Sequence, residues 1–322
     1  MKEYGGYIEL DTYTLPMLHE GAVALNCGRS CLGYLIQVRG IKKLLLPYFI
    51  CDSVTGVCEK YGVVIRFYSI NEQFLPVDVE LAEDEWLYVV NYYSQLTHEQ
   101  LSVLKARYGR VIVDNAQAYF DKPLSDTDTL YTCRKFFGVA DGAFLYTDAF
   151  LTEELPVDES FERMHFLLGR FERTASEFYK EYSKNNHLFA NEPIKRMSKL
   201  TANLLHGIDY NYVKKRRTEN FSLYYEKLNA VNQLSLQEVE GAFAYPLWIS
   251  GGAEIRRQLQ QKKIYIPMLW PSVRTQCNSD QLEYAFAEDI LPLPCDQRYG
   301  EEDIHSMIST LLSVLHQKRK GE

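Results

Sequence analysis

Val111-Ile112-Val113-Asp114-Asn115-Ala116-Gln117-Ala118, followed by Tyr131-Thr132-Cys133-Arg134-Lys135-Phe136-Phe137-Gly138-Val139-Ala140-Asp141-Gly142, is the part of the chain on which its reading turns. The first block is an apolar run ending on a carboxylate, the pattern of a buried strand. The second sets a lysine in a turn before a glycine-containing hairpin. Working outward, Lys42 to Pro47, Val63 to Tyr68, Trp86 to Tyr92, Leu130 to Thr132 and Ala143 to Thr147 also read as short strands. Helical spacing recurs from Cys31 to Ile36, Ser53 to Tyr61 and His98 to Tyr108. Strands alternating with helices predict parallel crossovers and an α/β sheet, with ligands at the C-terminal ends of the strands.

After Leu151 the pattern changes. Phe161 to Tyr182 reads as charged, aromatic helix, Arg217 to Leu228 as an amphipathic helix, Tyr245 to Ile249 as a strand and Glu301 to His316 as a terminal helix. We therefore expect a large α/β domain over residues 1–208 and a small C-terminal α/β domain over residues 209–322.

Bulk properties exclude several classes. The net charge of -8 gives no basic surface for nucleic acid. The runs Lys214-Lys215-Arg216-Arg217 and Lys318-Arg319-Lys320 are short and read as solvated helix faces. No apolar run is long enough for a membrane helix, and Met1-Lys2-Glu3-Tyr4-Gly5 lacks a secretory pattern. The seven cysteines are irregularly spaced. They read as reduced thiols of a cytoplasmic protein, and neither they nor the histidines have metal-ligand spacing, so no metal is expected.

A lysine and a strand-end carboxylate together suit pyridoxal phosphate. The amine forms a Schiff base with the cofactor aldehyde, and the carboxylate keeps the pyridinium nitrogen protonated. Residue type alone leaves a second reading open, since a strand-end aspartate and a turn lysine are common structural features. Likewise Cys27-Gly28-Arg29-Ser30 opens a helix whose N-terminus favours an anion, or else Ser30 simply caps it.

The whole string resembles the DegT/DnrJ/EryC1/StrS family of sugar aminotransferases. In that family the strand-end motif is acidic-x-Ala-Gln, and the lysine precedes a Gly-Asp-Gly turn. The resemblance implies the pyridoxal-phosphate-dependent, aspartate-aminotransferase-like fold, with a large mostly parallel sheet domain and a smaller α/β domain. It makes Lys135 the lysine of the aldimine, Asp114 the pyridinium partner and Gln117 a neighbour of the ring. Gly28, Arg29 and Ser30 become the phosphate loop. A nucleotide-linked keto-sugar is the implied amino acceptor, with glutamate or a similar donor, in a homodimer. Three features depart from the family. Leu130 stands where a phosphate-binding serine is usual, with Thr132 or Arg134 as substitutes. Ile194 stands at the position of an asparagine lent by the neighbouring subunit, before Arg196-Met197-Ser198. The chain is also short. These departures keep two rivals open: a non-catalytic binding or regulatory homologue, and a pyridoxal-phosphate enzyme of another reaction type. Arg298 reads as a surface ion pair or a substrate contact, and Tyr48, Phe49, Tyr92 and Tyr93 as core or pocket aromatics.

Overall fold

The computed structural model describes residues 4–321, with side chains as far as residue 317. Met1-Lys2-Glu3 and the side chains of Lys318-Arg319-Lys320 lie outside the described residues, and so do the readings placed on them. β1 (Val23–Leu25) leads into α1 (Gly28–Arg39), β2 (Lys43–Pro47), α2 (Asp52–Lys60), β3 (Val64–Tyr68) and β4 (Glu85–Val90). Then come α3 (His98–Tyr108), β5 (Val111–Asp114), β6 (Asp128–Thr132) and β7 (Ala143–Tyr146). Four helices follow: α4 (His165–Glu172), α5 (Tyr179–Asn191), α6 (Lys199–Leu205) and α7 (Tyr210–Leu228). The last elements are β8 (Ala244–Trp248), α8 (Gly252–Gln261), α9 (Val273–Gln276), α10 (Leu282–Asp289), β9 (Ile290–Pro294) and α11 (Glu301–Gly321).

Seven strands form one sheet in the order β1-β7-β6-β5-β4-β2-β3. β7 alone runs against the others, because both of its neighbours pair with it antiparallel. All four residues of β5 are buried, as a central strand covered on both faces requires. Leu44, Leu46, Leu87 and Ile112 are fully buried in this layer. Each contributes about 2 kcal/mol by leaving water. The helix starts are encoded locally. Thr97 and Gln100 form a reciprocal capping box on α3, and Asp209 accepts from the Tyr212 N–H at the start of α7.

The strand readings hold to within a residue or two, but β1 and β9 are additional. β9 pairs antiparallel with β8 in a separate two-stranded sheet, with Pro246 opposite Pro292. Prolines fit such a ladder where no N–H is needed by the partner. The expected helix from Phe161 to Tyr182 is broken. A 3₁₀ turn at Phe161–Arg163 precedes α4, and the chain then folds back before α5. At Gly169, inside α4, a Cβ would lie 2.3 Å from the Phe178 ring, so this ring packs directly on the α4 backbone. Among the described residues, no helix is long and apolar enough to cross a membrane.

His19 is buried against the sheet, its ring 4.2 Å from that of Tyr131. Nε2–H donates to the Tyr119 carbonyl (3.0 Å), so Nδ1 accepts from the Tyr146 hydroxyl (3.1 Å). Burial lowers its pKa to about 4 from 6.5, partly opposed by the Tyr119 bond. The unfolded chain therefore binds a proton that the native state refuses between those values, and stability falls as pH drops through that window. The full effect is about 3 kcal/mol. Thermal melts at pH 7 and pH 4.5 should show a smaller acid-induced loss for His19→Gln than for the parent; an equal loss would assign the acid sensitivity elsewhere.

Candidate active site

The loop between β6 and β7 carries Lys135, whose amine end is exposed and whose Nζ lies 5.5 Å from the centroid of the Phe243 ring. The loop is built to hold that lysine out while burying its neighbours. Phe136 and Phe137 are buried on either side of an aromatic cluster with Tyr119 and Tyr210. The Phe136 carbonyl accepts from Arg217 Nη2 (3.1 Å) and Gln297 Nε2 (2.8 Å). At the far end of the loop, Asp141 is fully buried. Its carboxylate accepts from the Ser198 N–H (2.8 Å), the Ser198 hydroxyl (2.7 Å) and the Thr201 hydroxyl. Gly142, at φ 113°, sits where a Cβ would meet Thr201 and Cys133 at 3.0–3.2 Å. Only glycine fits there without strain.

Asp114 ends β5 next to this loop. It is 8% exposed, and its carboxylate accepts from the Tyr88 hydroxyl (2.9 Å) and the Ala116 N–H (2.8 Å). Burial raises its pKa; the charge of Lys135 is the strongest opposing influence, ahead of those two hydrogen bonds. The carboxylate therefore faces the lysine through space with no ion pair to quench it. A cationic N–H placed between them would satisfy it. Gln117 is also buried. Its Oε1 accepts from the Tyr93 N–H (3.0 Å), while its Nε2 has no partner among the described residues. An orphaned amide donor in a buried site is costly unless something else accepts from it. Tyr93 holds this end in place from a left-handed backbone (φ 54°), with its ring stacked toward Phe243.

α1 opens beside the same loop: the Gly142 N–H donates to the Asn26 carbonyl (2.5 Å). Its N-cap is Cys27, which makes no side-chain capping bond. The alternative in which Ser30 caps the helix does not hold, because the Ser30 hydroxyl donates to Asn26 Oδ1 (2.6 Å). Gly28 and Arg29 are half-buried, and Arg29 has no hydrogen bond or ion pair among the described residues. Thr132 is half-buried and shares a sheet face with Leu130, which pairs with Asp114. Leu130 itself is buried at 2% exposure and offers no donor, and Ile194 is also buried.

Arg217 corrects the reading of its basic run as wholly solvated. It is 1% exposed and donates to Gln297, the Ala242 carbonyl and Phe136. Burial lowers its pKa to about 10. Its three acceptors are distant in sequence, so helical periodicity could not reveal them. Lys214, Lys215 and Arg216 do pair at the surface, with Glu240 and Glu219. Phe243 is a second residue the sequence did not single out. Arg298 makes the ion pair, donating to both oxygens of Asp296 (2.5 and 2.8 Å). Tyr48 and Phe49 belong to the core, stacked on Phe67 and edge-on to Trp270. Tyr92 is buried and donates to the Phe49 carbonyl (2.5 Å).

No family model matches the sequence, and no curated protein matches it. Solved structures do. The chain is similar to the sugar aminotransferase CalS13 from Micromonospora echinospora, with 14% identity, 92% of this chain and 88% of that one covered, and a TM-score of 0.63. It is similar to a DegT DnrJ EryC1 StrS aminotransferase from Brucella abortus (14% identity, 92% and 86% covered, TM-score 0.63). NtdA from Bacillus subtilis, solved with bound cofactor PMP, aligns over 92% of this chain and 73% of its own, at 14% identity and a TM-score of 0.64. The chain thus has the α/β fold of these aminotransferases, as expected.

Asp141 is the clasp that holds the lysine loop to α6. Asp141→Ala would leave the Ser198 N–H buried without an acceptor, and should cost at least about 2 kcal/mol. Urea denaturation of the variant beside the parent measures it; an unchanged midpoint would show that the clasp is dispensable.

Proposed function

We propose that the chain is a pyridoxal-phosphate-dependent aminotransferase of the DegT/DnrJ/EryC1/StrS family. The observation that carries this is the trio of Lys135, Asp114 and Gln117. Lys135 is exposed, Asp114 is buried without an ion pair but within electrostatic reach of that lysine, and Gln117, three residues on, is buried with an idle donor, in a chain whose fold is that of sugar aminotransferases. A substituted pyridine ring fits this donor and acceptor set. Bound pyridoxal phosphate would supply an electron-poor ring that accepts electrons from the substrate carbon.

The chain's own residues have distinct tasks. Asp114 holds a proton on the ring nitrogen; its burial beside neutral donors gives it a strong need for that N–H. Gln117 Nε2, the idle donor, would orient the ring. Lys135 would hold the cofactor through Nζ, and its free amine would serve as general base and acid toward the substrate. Phe243 and Phe136 give the amine an apolar surround. Gly28, Arg29 and Ser30, at the start of α1, would hold the phosphate together with Thr132.

The donor in this reading is glutamate or a related amino acid, and the acceptor a nucleotide-linked keto-sugar. The enzyme is cytoplasmic and acts as a homodimer. The division into units over residues 1–208 and 209–322 belongs to the proposal too; it is supported by the start of α7 at Tyr210 and by the second sheet, which lies wholly after it. A binding or regulatory role without turnover is the second reading, favoured by Leu130, whose buried side chain removes a hydroxyl from beside Asp114.

Added pyridoxal phosphate should produce a visible absorbance band that borohydride fixes covalently to the protein and that glutamate abolishes. Lys135→Ala should lose both covalent attachment and turnover. A band that no amino donor alters, or no band at saturating cofactor, would overturn the aminotransferase and select the non-catalytic reading. Sedimentation at micromolar concentration should give twice the chain mass; a monomer would overturn the dimer.

A further inference from the structure

We propose that Arg134 and Arg29 form a two-guanidinium clamp for a phosphate dianion, so that the anion is gripped between the loop that presents Lys135 and the first turn of α1. The proposal rests on the cofactor reading above and assigns the grip on its phosphate.

Arg134 immediately precedes Lys135, and its head group is fixed from two sides. Nη2 donates to Asn186 Oδ1 on α5, and the guanidinium lies 4.9 Å from the centroid of the Phe189 ring. Arg163 shares that ring from 5.2 Å but is neutralised by Asp158 (2.6 Å). Arg134 has no carboxylate partner among the described residues, and neither has Arg29. The nearby acid is already taken: Asp158 also accepts from Asn26 and faces Lys195. The Gly142–Asn26 hydrogen bond lays the Arg134 loop against the turn that carries Arg29, and Cys27 lies within electrostatic reach of both guanidiniums.

Two like charges side by side repel, and each favours an anion between them. Burial pushes the Arg134 pKa down; Tyr182 and Cys27 oppose this, and the charges of Arg29 and Arg163 add to it. The first turn of α1 adds backbone N–H groups that no side chain caps and no acidic residue neutralises. Planar guanidinium forks and helix N–H groups together present more donors than the two oxygens of a carboxylate can use. Three terminal phosphate oxygens match them. Leu130 supplies none of this, and the arginine one residue before the lysine replaces what a hydroxyl there would provide.

The test is equilibrium binding of three probes to the full chain: inorganic phosphate, pyridoxal phosphate and unphosphorylated pyridoxal. Arg134→Gln should weaken inorganic phosphate and pyridoxal phosphate by about tenfold or more, with pyridoxal unchanged; Arg134→Lys should recover part of the loss. Arg29→Gln, at a half-exposed position, should weaken the same two probes, and it keeps the test decisive if Arg134→Gln does not fold. Pyridoxal phosphate attached through Lys135 with unaltered affinity in both glutamine variants would overturn the clamp and leave the function standing. Phosphate binding that depends on Arg134, without any pyridoxal phosphate binding, would support the clamp and refute the cofactor. Equal weakening of all three probes would show mere structural damage and overturn the clamp.

Discussion

A carboxylate at the end of a buried strand needs a partner, and the shape of this site follows from how Asp114 is left without a full one. Two neutral donors, Tyr88 and the Ala116 N–H, orient it. The ammonium of Lys135 acts on it only through space. If the lysine were free to collapse onto Asp114, a direct ion pair would form and the space between would vanish. The loop prevents this. Arg217 and Gln297 hold the Phe136 carbonyl at one end, and Asp141 holds the other through α6. The aromatic neighbours of Lys135 fill the remaining gaps beneath it. The separation of amine and carboxylate is thus maintained by residues that belong to neither.

The parts of this arrangement that could be read from the sequence are those with local signatures. β5 is a continuous apolar run with a terminal carboxylate, and the spacing from Asp114 to Gln117 sets both at one strand end. α3 carries its capping box in four consecutive residues. The hidden parts depend on distant partners. Arg217 lies in a run of four basic residues, where exposure is the ordinary fate, and it is buried because acceptors from Phe136, Ala242 and Gln297 converge on it. β1 has three residues, too few for a period. β9 contains two prolines, which argue against a strand unless its partner needs no donor there. The connection between α4 and α5 brings the Phe178 ring onto Gly169, a contact between residues nine apart that helical spacing does not display.

The likeness to aminotransferases is a likeness of backbone, at about one residue in seven. Local chemistry has been replaced within that frame. Leu130 and Ile194 have joined the apolar core. Arg134, long and charged, stands beside the lysine and reaches Asn186 on α5.

The lysine loop also has a history within each molecule. Its far end is tied to residues 198 and 201, and its near end to residue 297. A nascent chain leaves the ribosome from its N-terminus, so the sheet strands emerge before these anchors do. Lys135 is therefore made early but seated late, after residue 297 has been synthesised and docked. During translation the amine hangs on an unfinished loop, unable to retain a ligand. Possession of a ligand at Lys135 would mark a chain that has completed its assembly, and a truncated product lacking residue 297 would be recognisable by its failure to hold one.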